Sequence, residues 1–279
     1  MARSSYLQWQ QAGITNDFVF GNVMLMGNNF RDLLRAILPE LHIQQVRLAN
    51  RQRNITKMVE THGVVLDVYA EDDCQRTYDI EMSVRQLPGL GKRIRYYQSK
   101  MDLDSLPRGA NYQDMKDSYV IFLFTQDPIG LGARRYDFHY YCDQFRSQLL
   151  PTGASIVLLN SRGKRGAVTT ELQSFFDLMN GQEVDTTFGR QIMRDIQIVK
   201  NDPVKEREFM DLAVKLADER REGMNEGAEH ERLKNATAFA QNMQNSGQSL
   251  AQIQHNLQDI FKGKLTKAEI DRVMQQLKG

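Results

Sequence analysis

The stretch GVVLDVYAEDDCQRTYDIEMSVR, residues 63–85, decides how the fold is read. Val64, Leu66, Val68 and Ala70 alternate with Val65, Asp67 and Tyr69, the two-residue period of a strand. A polar segment from Glu71 to Arg76 follows, and then Tyr78, Ile80, Met82 and Val84 alternate with Asp79, Glu81 and Ser83. Two such runs around a short polar loop predict an antiparallel hairpin. With the turn centred near Cys74, Asp67 falls opposite Glu81 and both leave one face, with Cβ atoms roughly 4.5–5.5 Å apart. Carboxylates that close repel each other unless a cation sits between them. Hard divalent ions such as Mg²⁺ are commonly held by one or two carboxylates together with substrate phosphates. The hairpin therefore predicts half of a metal site, and the competing reading is an ordinary solvated acidic strand face.

A strand ending in Asp, a turn, and a strand carrying Glu-x-Gln or Glu-x-Lys resembles the PD-(D/E)XK nuclease superfamily. The closer likeness is to its Rpn-type branch of recombination-promoting nucleases, also called PD-(D/E)XK family transposases. The residues that carry it are LDVYAEDD at 66–73 and YDIEMS at 78–83, with TNDFVF at 15–20, RIRYYQSKMD at 93–102 and YVIFLF at 119–124 in the same order. The resemblance implies an α/β restriction-endonuclease-like core with a mixed central sheet. It also implies Asp67 and Glu81 as ligands of Mg²⁺ (or Mn²⁺), with Asp17 of the first helix lending a third carboxylate. Two positions depart from the family pattern. Ser83 stands where the family has Gln or Lys, and Gly21 stands where TNDFVF usually continues with Lys. Arg85 shares strand parity with Glu81 and Ser83, so a strand continuing that far would point a substitute cation into the site.

The 279 residues suffice for one large domain plus an appendage. A net charge of +1 excludes a bulk polycation, so a nucleic-acid surface has to be a local patch. The two cysteines, Cys74 and Cys142, lie far apart without zinc spacing, which fits free thiols in a reducing cytosol. No apolar run approaches the roughly 20 residues of a membrane span, and the N-terminus lacks a signal-peptide core. A cytoplasmic protein with no membrane partner is expected.

Outward from the hairpin, residues 15–38 predict two helices, capped by Thr15 or Asn16 and separated at Gly27-Asn28-Asn29. Asp17 in the first turn also suits the helix dipole. Ile43–Leu48 reads as an extended piece. A helix is expected from about Leu90 to Leu103, carrying Lys92, Arg93, Arg95 and Gln98 among tyrosines, a composition suited to a phosphate backbone. Tyr119–Phe124 reads as a central strand, Tyr136–Tyr141 as an edge strand, Ala154–Asn160 as a buried strand and Glu171–Met179 as a helix. The nuclease-like domain is placed at 10–200.

Residues 203–279 are expected to form a helical tail, with Gly223 and Gly227 interrupting its first part. Its last part is a two-helix unit with capping boxes at Ser249/Gln252 and Thr266/Glu269. Apolar stripes from Phe209 onward predict packing on the core or on another chain, the second of which would give a homo-oligomer through the C-terminal helices. The function that the family resemblance implies is metal-dependent hydrolysis of DNA phosphodiesters in a recombination or mobile-element setting. The alternative is a nuclease-fold protein without turnover that grips DNA or another protein.

Overall fold

A computed structural model describes residues 2–48, 68–106 and 108–277, so Asp67 lies outside the described residues. Strand β2 (Val68–Asp72) pairs antiparallel with β3 (Thr77–Ser83), placing Val68 opposite Ile80 and Ala70 opposite Tyr78. That register is centred on Cys74, as the sequence predicts. The turn is fixed by Asp72. Its buried carboxylate accepts from the Cys74 and Arg76 amides at 2.9 Å each, from Arg76 Nε at 2.6 Å and from the Tyr78 hydroxyl at 2.7 Å. A carboxylate removed from water is tolerated only with such partners. Burial, and then the hydrogen bond to Asp72 and its charge, hold the Tyr78 hydroxyl above its ordinary pKa, so it stays a donor.

Four more strands complete the sheet: β1 (Val46–Leu48), β4 (Ser118–Phe124), β5 (Arg135–Phe138) and β6 (Ala154–Asn160). The order is β1-β2-β3-β4-β6-β5, with β3, β4 and β6 parallel and the remaining pairs antiparallel. The unbroken apolar run of β4 sits in the middle, covered on both faces. Helix α4 (Leu90–Ser105) packs on one face through Ile94, Tyr97 and Met101, a stripe at helical spacing that meets Val120, Phe122, Phe124 and Leu158.

Helices α2 (Asp17–Met24), α3 (Asn29–Ile37), α5 (Thr170–Met179) and α6 (Thr187–Asn201) pack as a second group. A buried hydrogen bond from Asn29 to Asp195, 2.7 Å long, joins α3 to α6. Asn16, and not Thr15, caps α2, accepting from the Phe18 and Val19 amides. Gly27 separates α2 from α3 at φ 49°, a backbone region that favours glycine.

Two helices were not anticipated. One is α1 (Ala2–Gln11), a polar segment that buries Trp9. The other is α6, whose stripe of Ile192, Ile196 and Val199 is buried.

The chain divides into two compact units, Ala2–Phe209 and Met210–Gly279. The interruptions expected at Gly223 and Gly227 do not occur, because α7 (Pro203–Asn245) runs unbroken. A helical glycine costs only about 1 kcal/mol, and without a competing cap that is too little to end a helix. The pairs Lys215–Glu219 and Asp218–Arg221 support the stretch just before them. In the second unit α8 (Leu250–Ile260) and α9 (Lys267–Gln276) close a small core with Ala236, Ala240 and Met243 of α7, and both expected capping boxes are formed. Among the described residues no helix is long and apolar enough to cross a membrane.

Candidate active site

Strand alternation sends Tyr78, Ile80 and Met82 of β3 to one side and Asp79, Glu81 and Ser83 to the other. The second side is the one beneath α4. In the register it continues as Val120, Phe122 and Phe124 of β4. The face is therefore covered rather than solvated. Asp79 is fully buried, and Glu81 retains 7 % of its surface.

The Tyr97 hydroxyl of α4 donates to Glu81 Oε2 at 3.4 Å and accepts from Arg93 Nε at 2.9 Å. The Arg93 guanidinium lies 5.6 Å from the centroid of the Tyr97 ring, which stacks on Phe122. A relay thus runs from an enclosed carboxylate through a tyrosine to an exposed cation. Burial, and then the Glu81 charge, raise the Tyr97 pKa, and its hydroxyl remains protonated.

Because β3, β4 and β6 are parallel, their carboxyl ends Ser83, Phe124 and Asn160 stand in one row. Open α/β sheets gather ligands at that edge. Ser83 is at the third motif position, nearly buried, and its hydroxyl donates to the Arg85 carbonyl at 2.8 Å. The parity expected for Arg85 does not hold. β3 ends at Ser83, where the Thr125 amide bonds the Ser83 carbonyl at 3.2 Å and the Thr125 hydroxyl the Val84 carbonyl at 3.3 Å. Arg85 follows in an exposed bend.

Asp17 is the first residue of α2, exposed, in the turn capped by Asn16. Lys92, Arg93 and Arg95 are exposed on α4, and none has an acidic partner within ion-pair distance among the described residues. Gln98 departs from the expectation. At 8 % exposure it points inward, its amide donating to the Ser118 hydroxyl and, at 3.3 Å, to Asp102. Residues 94, 97, 98 and 101 are the buried positions of α4, so Gln98 fastens the helix to β4 instead of facing a nucleic acid. Tyr97 as the partner of Glu81, and Asp79 as its buried neighbour, were missed by sequence reasoning. Strand parity was the available signal for Asp79.

Among the described residues no three His, Cys, Asp or Glu side chains gather into a metal-binding group. The donors that are present, Glu81 and Asp79 with Ser83 beside them, offer only oxygen on the face beneath α4. That donor chemistry fits a hard divalent cation.

A mixed six-stranded sheet with an acidic hairpin, a helix over it and parallel central strands is consistent with a PD-(D/E)XK fold. A family model described as PD-(D/E)XK nuclease family transposase matches residues 14–139, from just before α2 to just past β5, and bears out the resemblance carried by the hairpin. No curated protein and no solved structure matches the chain.

Proposed function

We propose that the chain is a metal-dependent DNA endonuclease that hydrolyses phosphodiester bonds in a recombination or mobile-element setting. The observation that carries this reading is Glu81, an almost enclosed carboxylate near the carboxyl end of a parallel strand, held by Tyr97 and through it by Arg93. Asp67 and Glu81 would hold Mg²⁺ or Mn²⁺, with Asp17 as a further carboxylate. When bound, the ion offsets charge on the attacked phosphate and lowers the pKa of a coordinated water. The protein's own part is positional. Tyr97 stays protonated and restrains the Glu81 carboxylate, while Arg93 restrains Tyr97 and keeps its charge at the surface. Lys92, Arg93 and Arg95 present cations to the DNA backbone. Residence in the cytoplasm, in keeping with the free thiols of Cys74 and Cys142, and self-association through the C-terminal helices belong to the same proposal.

A second reading is a DNA- or protein-binding module that has lost turnover. Ser83 favours it, because its hydroxyl is engaged by the Arg85 carbonyl and Arg85 itself leaves the strand. The experiment is plasmid nicking with and without Mg²⁺ or Mn²⁺, using Asp67→Ala and Glu81→Gln as controls. Ion-dependent nicking lost in both variants supports the endonuclease. Plasmid binding with no nicking under either ion leaves the binding module.

A further inference from the structure

Two loops at the row of strand ends are laced together. The Arg134 amide donates to the Arg165 carbonyl at 2.9 Å, and the Lys164 and Arg165 amides donate to the Gly132 carbonyl at 3.0 and 3.1 Å. Asn160 Nδ2 donates to the Ala133 carbonyl at 3.1 Å, and Arg134 reaches the Gly163 and Gly166 carbonyls at 3.2 and 3.0 Å. Gly163 is required for this approach, since a Cβ there would lie 2.5 Å from the Ala133 carbonyl oxygen.

The lacing holds Arg162, Lys164 and Arg165 at the surface beside Arg134. Arg162 Nε is steadied by Asn180 at 3.3 Å and Arg165 by the Leu131 carbonyl at 3.2 Å. The nearby carboxylates are engaged elsewhere. Asp137 pairs with Arg135, and Asp127 accepts from the Ile129, Gly130 and Gly132 amides and the Tyr136 hydroxyl. No acidic group lies within ion-pair distance of Arg162, Lys164 or Arg165 among the described residues. Solvated cations without acidic partners are ordinary on a protein surface. What distinguishes these is that the backbone carrying them is laced to a neighbouring loop through an approach that Gly163 makes possible, which holds several cations together in a patch complementary to a polyanion.

We propose that the loops at 131–135 and 161–166 form a second phosphate-backbone surface for duplex DNA, flanking the Glu81 site. This rests on the endonuclease reading. Ser161 donates its amide to the Phe124 carbonyl at 2.9 Å, and Thr125 donates its amide to the Ser83 carbonyl, so the basic loop lies on the same sheet edge as the end of β3. Two strand spacings separate β3 from β6, about 10 Å. That is the axial length of about three base pairs of duplex. Backbone contacts at such a distance set register and orientation without reading sequence.

The test is fluorescence anisotropy of a labelled duplex of about 20 base pairs with the full chain and Ca²⁺ in place of Mg²⁺, across a NaCl series. The double variant Arg162→Gln/Lys164→Gln alters two exposed side chains, and an unchanged Tm checks its fold. Loss of two phosphate contacts should lower the slope of log K against log salt by about 1.8 and weaken binding at least tenfold at moderate salt. Gly163→Ala keeps every charge but forces the loops apart, and it too should weaken binding.

An unchanged slope in the double variant, alongside a reduced slope in Lys92→Gln/Arg95→Gln, overturns this surface and leaves the endonuclease reading intact. Equal affinity for an RNA duplex overturns the assignment to DNA. No binding of the duplex by the native chain overturns the endonuclease reading and this inference with it.

Discussion

Replacing Asp72 by Asn should destabilise the first unit by about 2–3 kcal/mol. The Asp72 side chain is wholly buried and accepts four hydrogen bonds, two of them from Arg76 Nε and the Tyr78 hydroxyl. Asparagine has nearly the same shape, but its amide nitrogen cannot accept, so one of those donors loses its partner and the guanidinium faces a dipole instead of a charge. Breaking a buried ion pair costs about 3–5 kcal/mol. A value at or just below the foot of that range applies because the Arg76 side chain keeps 16 % exposure and a second acceptor, the Leu41 carbonyl at 3.0 Å. For a unit of this size each kcal/mol shifts Tm by about 2–4 °C, so a fall of roughly 5–10 °C is expected. The assay is urea unfolding followed by the fluorescence of Trp9, the one tryptophan of the chain, which is fully buried in this unit. Asp72→Asn/Arg76→Met should recover part of the loss by removing the stranded cation. A change below about 0.5 kcal/mol for Asp72→Asn alone would refute the claim that this carboxylate fixes the hairpin that carries Glu81.

Glu81→Gln should lower ion-dependent nicking at least 100-fold, about 2.7 kcal/mol of transition-state stabilisation, measured on supercoiled plasmid. Ser83→Gln should raise nicking, while Arg85→Ala should leave it within about threefold, because Arg85 lies beyond the strand. A tenfold loss in Arg85→Ala would restore that cation to the site. The Asp127 carboxyl is opposed by burial, but the amides of Gly130, Ile129 and Gly132 and the Tyr136 hydroxyl outweigh this and hold it below its ordinary value of 3.8. A depressed folded pKa stabilises above the unfolded value, and that stability is lost as pH falls through the folded one. Urea unfolding at pH 5 and pH 3 should therefore show a smaller acid loss in Asp127→Asn than in the native chain. In the second unit, Ser249→Ala and Thr266→Ala each remove a cap and should cost about 0.5–2 kcal/mol by thermal unfolding.

Much of the first unit was legible because its strands alternate cleanly. The pattern around Cys74 fixed the register of β2 and β3, and the apolar run of Tyr119–Phe124 marked the sheet centre. Cap chemistry was legible for the same reason, since Ser249 and Thr266 stand three residues before Gln252 and Glu269. What was not legible depends on tertiary packing. The sequence at 2–11 shows little of an apolar stripe, and the burial of Trp9 is a tertiary contact that no local pattern announces. Nothing local in Gln98 or Tyr97 distinguishes an inward from an outward position until Ile94 and Met101 define the buried stripe of α4. Arg85 was misplaced because strand parity carries no information about where a strand ends. That end is set by Thr125, a residue of another segment.

The enclosure of Tyr97 has a consequence for the products. On the endonuclease reading, a tyrosine beside the Glu81 carboxylate invites the thought of attack on phosphorus, with the cut DNA left as a phosphotyrosine ester. Tyr97 is closed to that route. Its ring is 1 % exposed, its oxygen is already engaged with Arg93 and Glu81, and burial with the Glu81 charge opposes the phenolate that attack requires. If the proposed cleavage takes place at Glu81, the strand would therefore be released without a covalent link through Tyr97. After phenol extraction nicked DNA should remain in the aqueous phase, with or without prior protease digestion.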